Sequence, residues 1–295
     1  EIIRHANELI FSSSKTSTVL PFEQISTHYP SLESSTLVEL STMPPVMEML
    51  PQNEVRVSGA VSWEELDAFL TASGQELLCY PTERCAMVLA GVATSATGER
   101  SFGFGPLKEQ IVSLKYIDSL GEIQSLSSQD HLACHPLFSR NTEAMILLQS
   151  YQKLGECYQG FKNPPTPRLQ FATDLMVGFE GQLGPVVEVV LNSRPQQNSI
   201  YLFFSLPPWE QESSHHVELV RLVQKLRGQI LTCELLDSNA QSLLPPEEQV
   251  APGADLIFLE LDSESWEEVI TSLLSNCSWL QDDQIFEISR HKFFN

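Results

Sequence analysis

The sequence predicts an α+β protein of two domains. Three observations carry that prediction. A chain of 295 residues is long enough for two cores. Its 42% hydrophobic and 19% charged content is that of a globular chain rather than a disordered one. Strand and helix patterns alternate along it, and beyond residue 195 they settle into a β-α-β order, a sheet with helices on one face.

The elements follow in order. Ile2, Ile3, Ala6 and Leu9 recur at helical spacing, so the chain opens as a helix. "LIFSSSKTSTVLP" then enters a run of hydroxyl residues. "STLVELSTM" (35–43) alternates as a strand, and "NEVRVSGAV" (53–61) is a second. "SWEELDAFLTASG" reads as a helix with Ser62 as N-cap, Glu65 completing a capping box and Gly74 stopping it. "IVSLKYIDSLGEIQSL" (111–126) is a hairpin turning at "DSLGE", and "TEAMILLQSYQKLG" is a helix closed by Gly155. "GFKNPPTPRLQ" reads as a surface loop. Residues 174–195 have helix-turn-strand character, with Gly178, Gly181 and Gly184 before a strand at 186–191.

"SRPQQN" is the predicted linker, dividing the chain into domains 1–195 and 196–295. The second domain carries strands at 200–206, 229–233 and 256–261 and helices at 210–226, 235–244 and 265–274. The first of these helices is expected to rest on Val217, Val220, Leu222, Val223 and Leu226. The start at Glu1 and the end at "ISRHKFFN", inside an amphipathic pattern with no stop signal, predict a piece of a longer protein.

A net charge of −21 argues against nucleic acid or an anionic membrane surface as the main partner. Solubility alone accounts for that charge, which concentrates beyond residue 195 on helix faces. No apolar run is long enough to cross a bilayer, and the start has no basic-plus-apolar signal. The six cysteines show no C-x-x-C pair, so they read as reduced, mostly buried thiols of a cytoplasmic protein, free or peripheral at the inner face of a membrane. "HLACH" puts His131, Cys134 and His135 within helical reach, but no fourth ligand accompanies them and no metal site is assigned. His215 and His216 sit on what reads as a solvated helix start.

"LAGVATSATGERSFGFG" (89–105) crowds small residues around one arginine. Such residues either let backbone amides converge on a ligand or fill tight turns and strand crossings. Together with "VRVSGAVSWEELDAFLTASG" before it and "DLMVGFEGQLGPVVEVVL" after it, the segment resembles the PCMH-type FAD-binding domain of the vanillyl-alcohol oxidase family. The branch it resembles is that of D-lactate dehydrogenases and the glycolate oxidase flavoprotein subunit. "PTERCAMVLAGVATSATGERSFGFG" is similar to the family's second flavin loop, and "VGFEGQLG" to its L-x-V-G-S-E-G-T-L-G element. The resemblance implies a two-subdomain flavin domain followed by part of an α+β, ferredoxin-like cap.

It also implies the site. FAD's pyrophosphate would be held by backbone N–H groups and hydroxyls. The first loop matches "SSSKTST", with Ser13, Ser14, Lys15, Thr16 and Ser17 where the family has R-G-G-G-T-S. The second runs from Pro81 and Thr82 through Ala93, Thr94, Ser95 and Gly98, with Ser101 and Gly105 supporting its return; Leu89–Ala90 stand where the family has Gly-Gly. Glu180, Gly181, Gly184, Val186 and Val187 would close over the flavin, with Glu180 equally suited to capping the glycine turn. No His or Cys stands in the loop to attach FAD, so the cofactor would be non-covalent.

The implied reaction is oxidation of a D-2-hydroxy acid by hydride transfer to flavin, the electrons passing to a quinone, cytochrome or flavoprotein. In the family the substrate-facing His and Arg lie further along the cap, beyond Asn295, and Arg290 and His291 read as an exposed helix face. No catalytic residue is assigned. Two alternatives remain open: a flavin fold with degenerate phosphate loops serving as a non-enzymatic binding module, and a UDP-sugar enolpyruvate reductase.

Overall fold

A computed structural model of the chain describes residues 9–12, 36–39, 43–157, 168–247, 249–280 and 285–287. Among these the chain divides into two units. One holds the residues up to Gly98 together with Pro106–Pro195; the other holds Glu99–Gly105 and the residues from Gln196 onward. The predicted opening helix lies outside the described residues except for Leu9, which begins strand β1 (Leu9–Ser12). That strand pairs in parallel with β2 (Thr36–Glu39).

The larger sheet of the first unit is antiparallel and runs β3 (Val46–Leu50), β4 (Glu54–Ser58), β8 (Val186–Pro195), β6 (Ile111–Ile117), β7 (Ile123–Ser127), with β5 (Gln75–Leu77) pairing the far end of β8. Strand β8 is central because its valines and Leu191 are flanked on both sides, Val57 facing Val189 across β4 and Leu114 facing it across β6. Helix α1 (Trp63–Ala72) starts at a complete capping box: Glu65 N–H donates to Ser62 Oγ at 3.2 Å, and Ser62 N–H donates to Glu65 Oε2 at 2.8 Å. It buries Trp63, Leu66 and Leu70 against Val55, Val57, Val189 and Leu191, together with Val88 and Val92 of the short helix α2 (Val88–Ala93). Each such side chain contributes roughly 1.5–3 kcal/mol on burial. The hairpin turn forms as expected: Asp118 Oδ1 accepts the N–H groups of Leu120 and Glu122, each at 2.9 Å.

Helix α3 (Thr142–Glu156) runs through Gly155 instead of stopping there. The "SRPQQN" linker is likewise shorter than expected. β8 continues through Ser193, whose N–H donates to Asn53 O at 2.7 Å, as far as Pro195. Most of the loop expected around 159–169 lies outside the described residues.

The second unit is a four-stranded antiparallel sheet ordered β10 (Ile230–Leu236), β11 (Asp255–Asp262), β9 (Ser199–Leu206), β12 (Ile285–Glu287). β11 lies between β9 and β10 and is antiparallel to both. The β-α-β pattern is therefore a split one rather than a parallel pair. Helices α4 (Ser213–Lys225) and α5 (Trp266–Asn276) bury Leu219, Val223, Val269 and Leu273 with Leu202, Phe204, Leu259 and Leu261 of the sheet. The opposite strand positions form a second cluster of Phe203, Leu256 and Phe258. The α+β class expected from sequence is the observed one.

Several sequence expectations fail here. Val217 and Val220 are exposed, because the buried stripe of α4 runs His216, Leu219, Val223. The helix expected at 235–244 shrinks to Ser238–Ser242, since β10 runs on to Leu236 along β11. His216 is not solvated: its Nε2 lies 3.0 Å from Asp255 Oδ2, and the pair is buried. Cysteines 85, 134 and 157 are exposed and only 79 and 277 buried, all six being free. Among the described residues no helix is long and apolar enough to cross a membrane.

Candidate functional site

Two of the sequence segments meet in the first unit. Helix α2 ends in a reversal: Thr94 closes it, Ser95 takes a left-handed conformation at φ +54°, and Ala96 N–H donates back to Gly91 O at 2.8 Å. Serine there fills a seat that glycine usually takes. The VGFEGQLG segment docks on the end of this helix. Gly178 N–H donates to Val92 O at 3.3 Å and Glu180 N–H to Ala93 O at 2.9 Å, with Glu180 itself left-handed at φ +50°. The approach to that segment is fixed by Asp174, which is buried. It accepts N–H bonds from Gln170 and Phe171 and two from the Arg168 guanidinium, at 3.1 and 3.3 Å.

Pro81 and Thr82 join the same place through Gly98. A Cβ on Gly98 would stand 2.4 Å from Tyr80 O and 2.7 Å from Pro81 Cα, so the backbones touch only because that side chain is missing. Gly184 is still tighter: its Cβ would fall 1.9 Å from Ile117 O, at the end of β6. The smallness of these residues thus serves the chain's own close approaches. The amides of Thr94, Ser95 and Ala96 are likewise bonded to carbonyls of α2. The Thr94 hydroxyl is taken up in the same way, donating to Ala90 O at 2.9 Å.

Thr82, Thr94, Ser95 and Thr97 are all exposed or half-buried, as are Gly178, Glu180 and Gly181. Between Thr94 and Gly98 the chain carries only small residues, and this stretch is borne on a loop bonded to the Gly178–Gly181 segment. Hydroxyl and glycine positions of this kind are compatible with a polar dinucleotide.

Ser13, Ser14, Lys15, Thr16 and Ser17 lie outside the described residues. Val186 is buried in the core of β8 and Val187 is half-buried beside it. Ser101 and Gly105 belong to the second unit. There the short turn Ser101–Phe104 follows Arg100, which is left-handed at φ +63°.

Arg100 is the feature that motif reading passed over. Its Nε and Nη2 donate to Glu260 Oε1 at 3.0 and 2.6 Å, and its backbone N–H donates to Thr232 Oγ1 at 3.0 Å. Thr232 Oγ1 and Tyr201 Oη donate in turn to the Glu260 carboxylate, at 2.8 and 3.2 Å. Burial alone would push the Glu260 carboxyl up; the Arg100 guanidinium and the hydrogen bonds from Arg100, Thr232 and Ser199 hold it below the ordinary carboxylate range. The available signal was a lone charge inside the apolar strand "DLIFLELD".

"HLACH" does local structural work. His131 packs on the Phe171 ring at 5.3 Å, and His135 Nδ1 accepts Leu137 N–H at 3.4 Å. Among the described residues no group of three His, Cys, Asp or Glu side chains is arranged to hold a metal.

Residues 16–127 match a protein family described as "FAD binding domain". Over those residues the chain is similar to FAD-binding domains, and FAD is the cofactor that the match indicates. The match takes in the "SSSKTST" segment from Thr16 and the whole of the second loop, and it stops before the VGFEGQLG segment. Among solved structures the chain resembles alkyldihydroxyacetonephosphate synthase in two crystal forms, each with a TM-score of 0.60. Sequence identity is 14% and 13%, and 95% of this chain is covered in both cases. At that identity the likeness is one of fold. The chain spans about half the length of those structures, 51% and 53%. No curated protein matches its sequence.

Proposed function

We propose that this chain is the flavin-holding part of an FAD-dependent oxidoreductase, with a D-2-hydroxy acid of the lactate or glycolate type as substrate. The observation that carries the flavin site is the bonding of Gly178 and Glu180 to the last carbonyls of α2. It brings together the two loops that the family resemblance assigns to one cofactor. Thr82, Thr94, Ser95, Gly98, Glu180, Gly181 and Gly184 are the residues proposed to hold FAD here, joined by Ser13–Ser17. Bound flavin supplies hydride acceptance; the chain's own part is to hold the ring system and limit the access of water.

The hydroxy-acid substrate rests on the sequence likeness of "VGFEGQLG" to the D-lactate dehydrogenase branch. The solved structures that the chain resembles bear a synthase's name, and the substrate is tested directly. The FAD-loaded protein is titrated anaerobically with D-lactate, glycolate and their L or non-hydroxylated counterparts while the visible flavin band is followed. Bleaching by D-lactate or by the achiral glycolate, but not by L-lactate or the non-hydroxylated acids, supports the proposal. A loaded protein whose flavin none of them reduces removes the substrate assignment and leaves the cofactor in place.

A further inference from the structure

We propose that Arg100 and Glu260 are positioning residues for the flavin loop, so that FAD affinity depends on a carboxylate far away in the sequence. The proposal rests on the assignment of residues 93–98 to FAD. The segment Glu99–Gly105 is joined at both ends to residues of the first unit, Gly98 and Pro106, yet it folds within the second. Its hold there is built, not incidental. Arg100 and Glu260 are 3% and 1% exposed, and Ser101 is buried beside them. A Cβ on Gly103 would stand 2.8 Å from Ile230 O, so this stretch lies directly on β10. Arg227 Nε donates to Phe102 O at 2.7 Å and fastens the other side.

A left-handed arginine is unfavourable by itself and persists only where its surroundings over-determine it. Here the determinants are the Glu260 fork and the Thr232 hydroxyl. Loosening the fork frees residue 100 to return to ordinary backbone angles. The peptide that changes direction is the one that follows Gly98, at the exit of the loop carrying Thr94, Ser95 and Thr97. A buried ion pair is a poor source of net stability compared with apolar residues of similar volume. A role in fixing one backbone conformation accounts for its presence.

The test uses the full chain. Glu260→Gln removes the charge at constant shape. Because it leaves a buried guanidinium uncompensated and can cost the fold, Arg100→Met/Glu260→Leu is made alongside it as an apolar replacement expected to fold. Glu188→Gln, which breaks the half-exposed Lys115–Glu188 pair of the first unit, is the control. FAD affinity is read by flavin-fluorescence titration, the environment of the bound ring by visible circular dichroism, and the melting temperature without flavin reports folding.

Tenfold or weaker FAD binding and an altered visible dichroism band in the folded double variant, with the control unchanged, support the proposal. A folded double variant with wild-type affinity and spectrum overturns it while leaving the cofactor assignment intact. A wild-type chain that takes up no FAD overturns both.

Discussion

The backbone N–H of Glu180 donates to the carbonyl of Ala93 at 2.9 Å, tying the end of helix α2 to a loop that the chain reaches only much later. Helix α2 packs against β8, the strand that follows the Glu180 loop directly and lies between β4 and β6.

The seam between Gly98 and the Tyr80–Thr82 backbone gives the first prediction. Gly98→Ala inserts a methyl group 2.4 Å from Tyr80 O, and neither partner is a flexible side-chain end. Overpacking of this kind costs about 1–3 kcal/mol. It also displaces Thr82 from the loop it accompanies. The variant is expected to melt several degrees lower and to bind FAD at least tenfold more weakly, as measured by thermal denaturation and flavin titration. Unchanged FAD binding would separate Pro81 and Thr82 from the cofactor site.

The second prediction concerns the fold at Gly184. Its φ of +125° is closed to residues with a Cβ, and that Cβ would overlap Ile117 O at 1.9 Å. Gly184→Ala is therefore expected to destabilise the chain by about 3 kcal/mol, the sum of backbone strain and forced separation from β6. For a chain of this size that is a fall in melting temperature of about 10 °C. Equilibrium denaturation of the apoprotein is the measurement. A small loss would mean that the turn between Gly181 and β8 yields easily and does not hold the loop against α2.

What the sequence made readable was local. Ser62, Glu65 and Gly74 mark α1 because caps act within four residues, and Asp118 marks the hairpin for the same reason. Other features depend on partners distant in the sequence. Ser193 extends β8 past the expected linker because Asn53 O is waiting across the sheet. His216 looks like a solvent residue until Asp255, on β11, is brought beside it. The two loops of the candidate site were found as motifs, but a single sequence does not show that Gly98 and Gly184 also admit Tyr80, Pro81 and Ile117. Arg100 and Glu260 could not be paired from a single sequence at all, since 160 positions separate them.

Thiol reactivity checks the packing without reference to any cofactor. Cys85, Cys134 and Cys157 are exposed, whereas Cys79 and Cys277 are buried. The Cys277 thiol is pushed up to about 11, by burial first and then by the Glu218 carboxylate. Since the thiolate is the reactive form, Cys277 should be inert in the native state. An aromatic disulfide reagent is expected to modify the three exposed thiols quickly, and to reach Cys277 only in denaturant. Native labelling of Cys277 at the rate of Cys85, followed by peptide mapping, would show that the end of α5 is not packed as described.

Acid should loosen the second unit through Glu260. Burial would raise its folded carboxyl, but the Arg100 guanidinium and the hydrogen bonds from Arg100, Thr232 and Ser199 outweigh burial and hold it below the ordinary value of 4.5. A carboxyl shifted in that direction contributes stability that is fully present above its unfolded value and is lost as pH falls through the folded one. The wild-type chain is therefore expected to keep this contribution at about pH 6 and to lose it progressively below about pH 4.5. Glu260→Gln cannot titrate, so its deficit against wild type should be largest near neutrality and should shrink in acid. Urea midpoints for both proteins across that range decide the matter. A deficit that is the same at every pH would mean that Glu260 is held by shape and hydrogen bonding, and that the charge on Arg100 is met elsewhere.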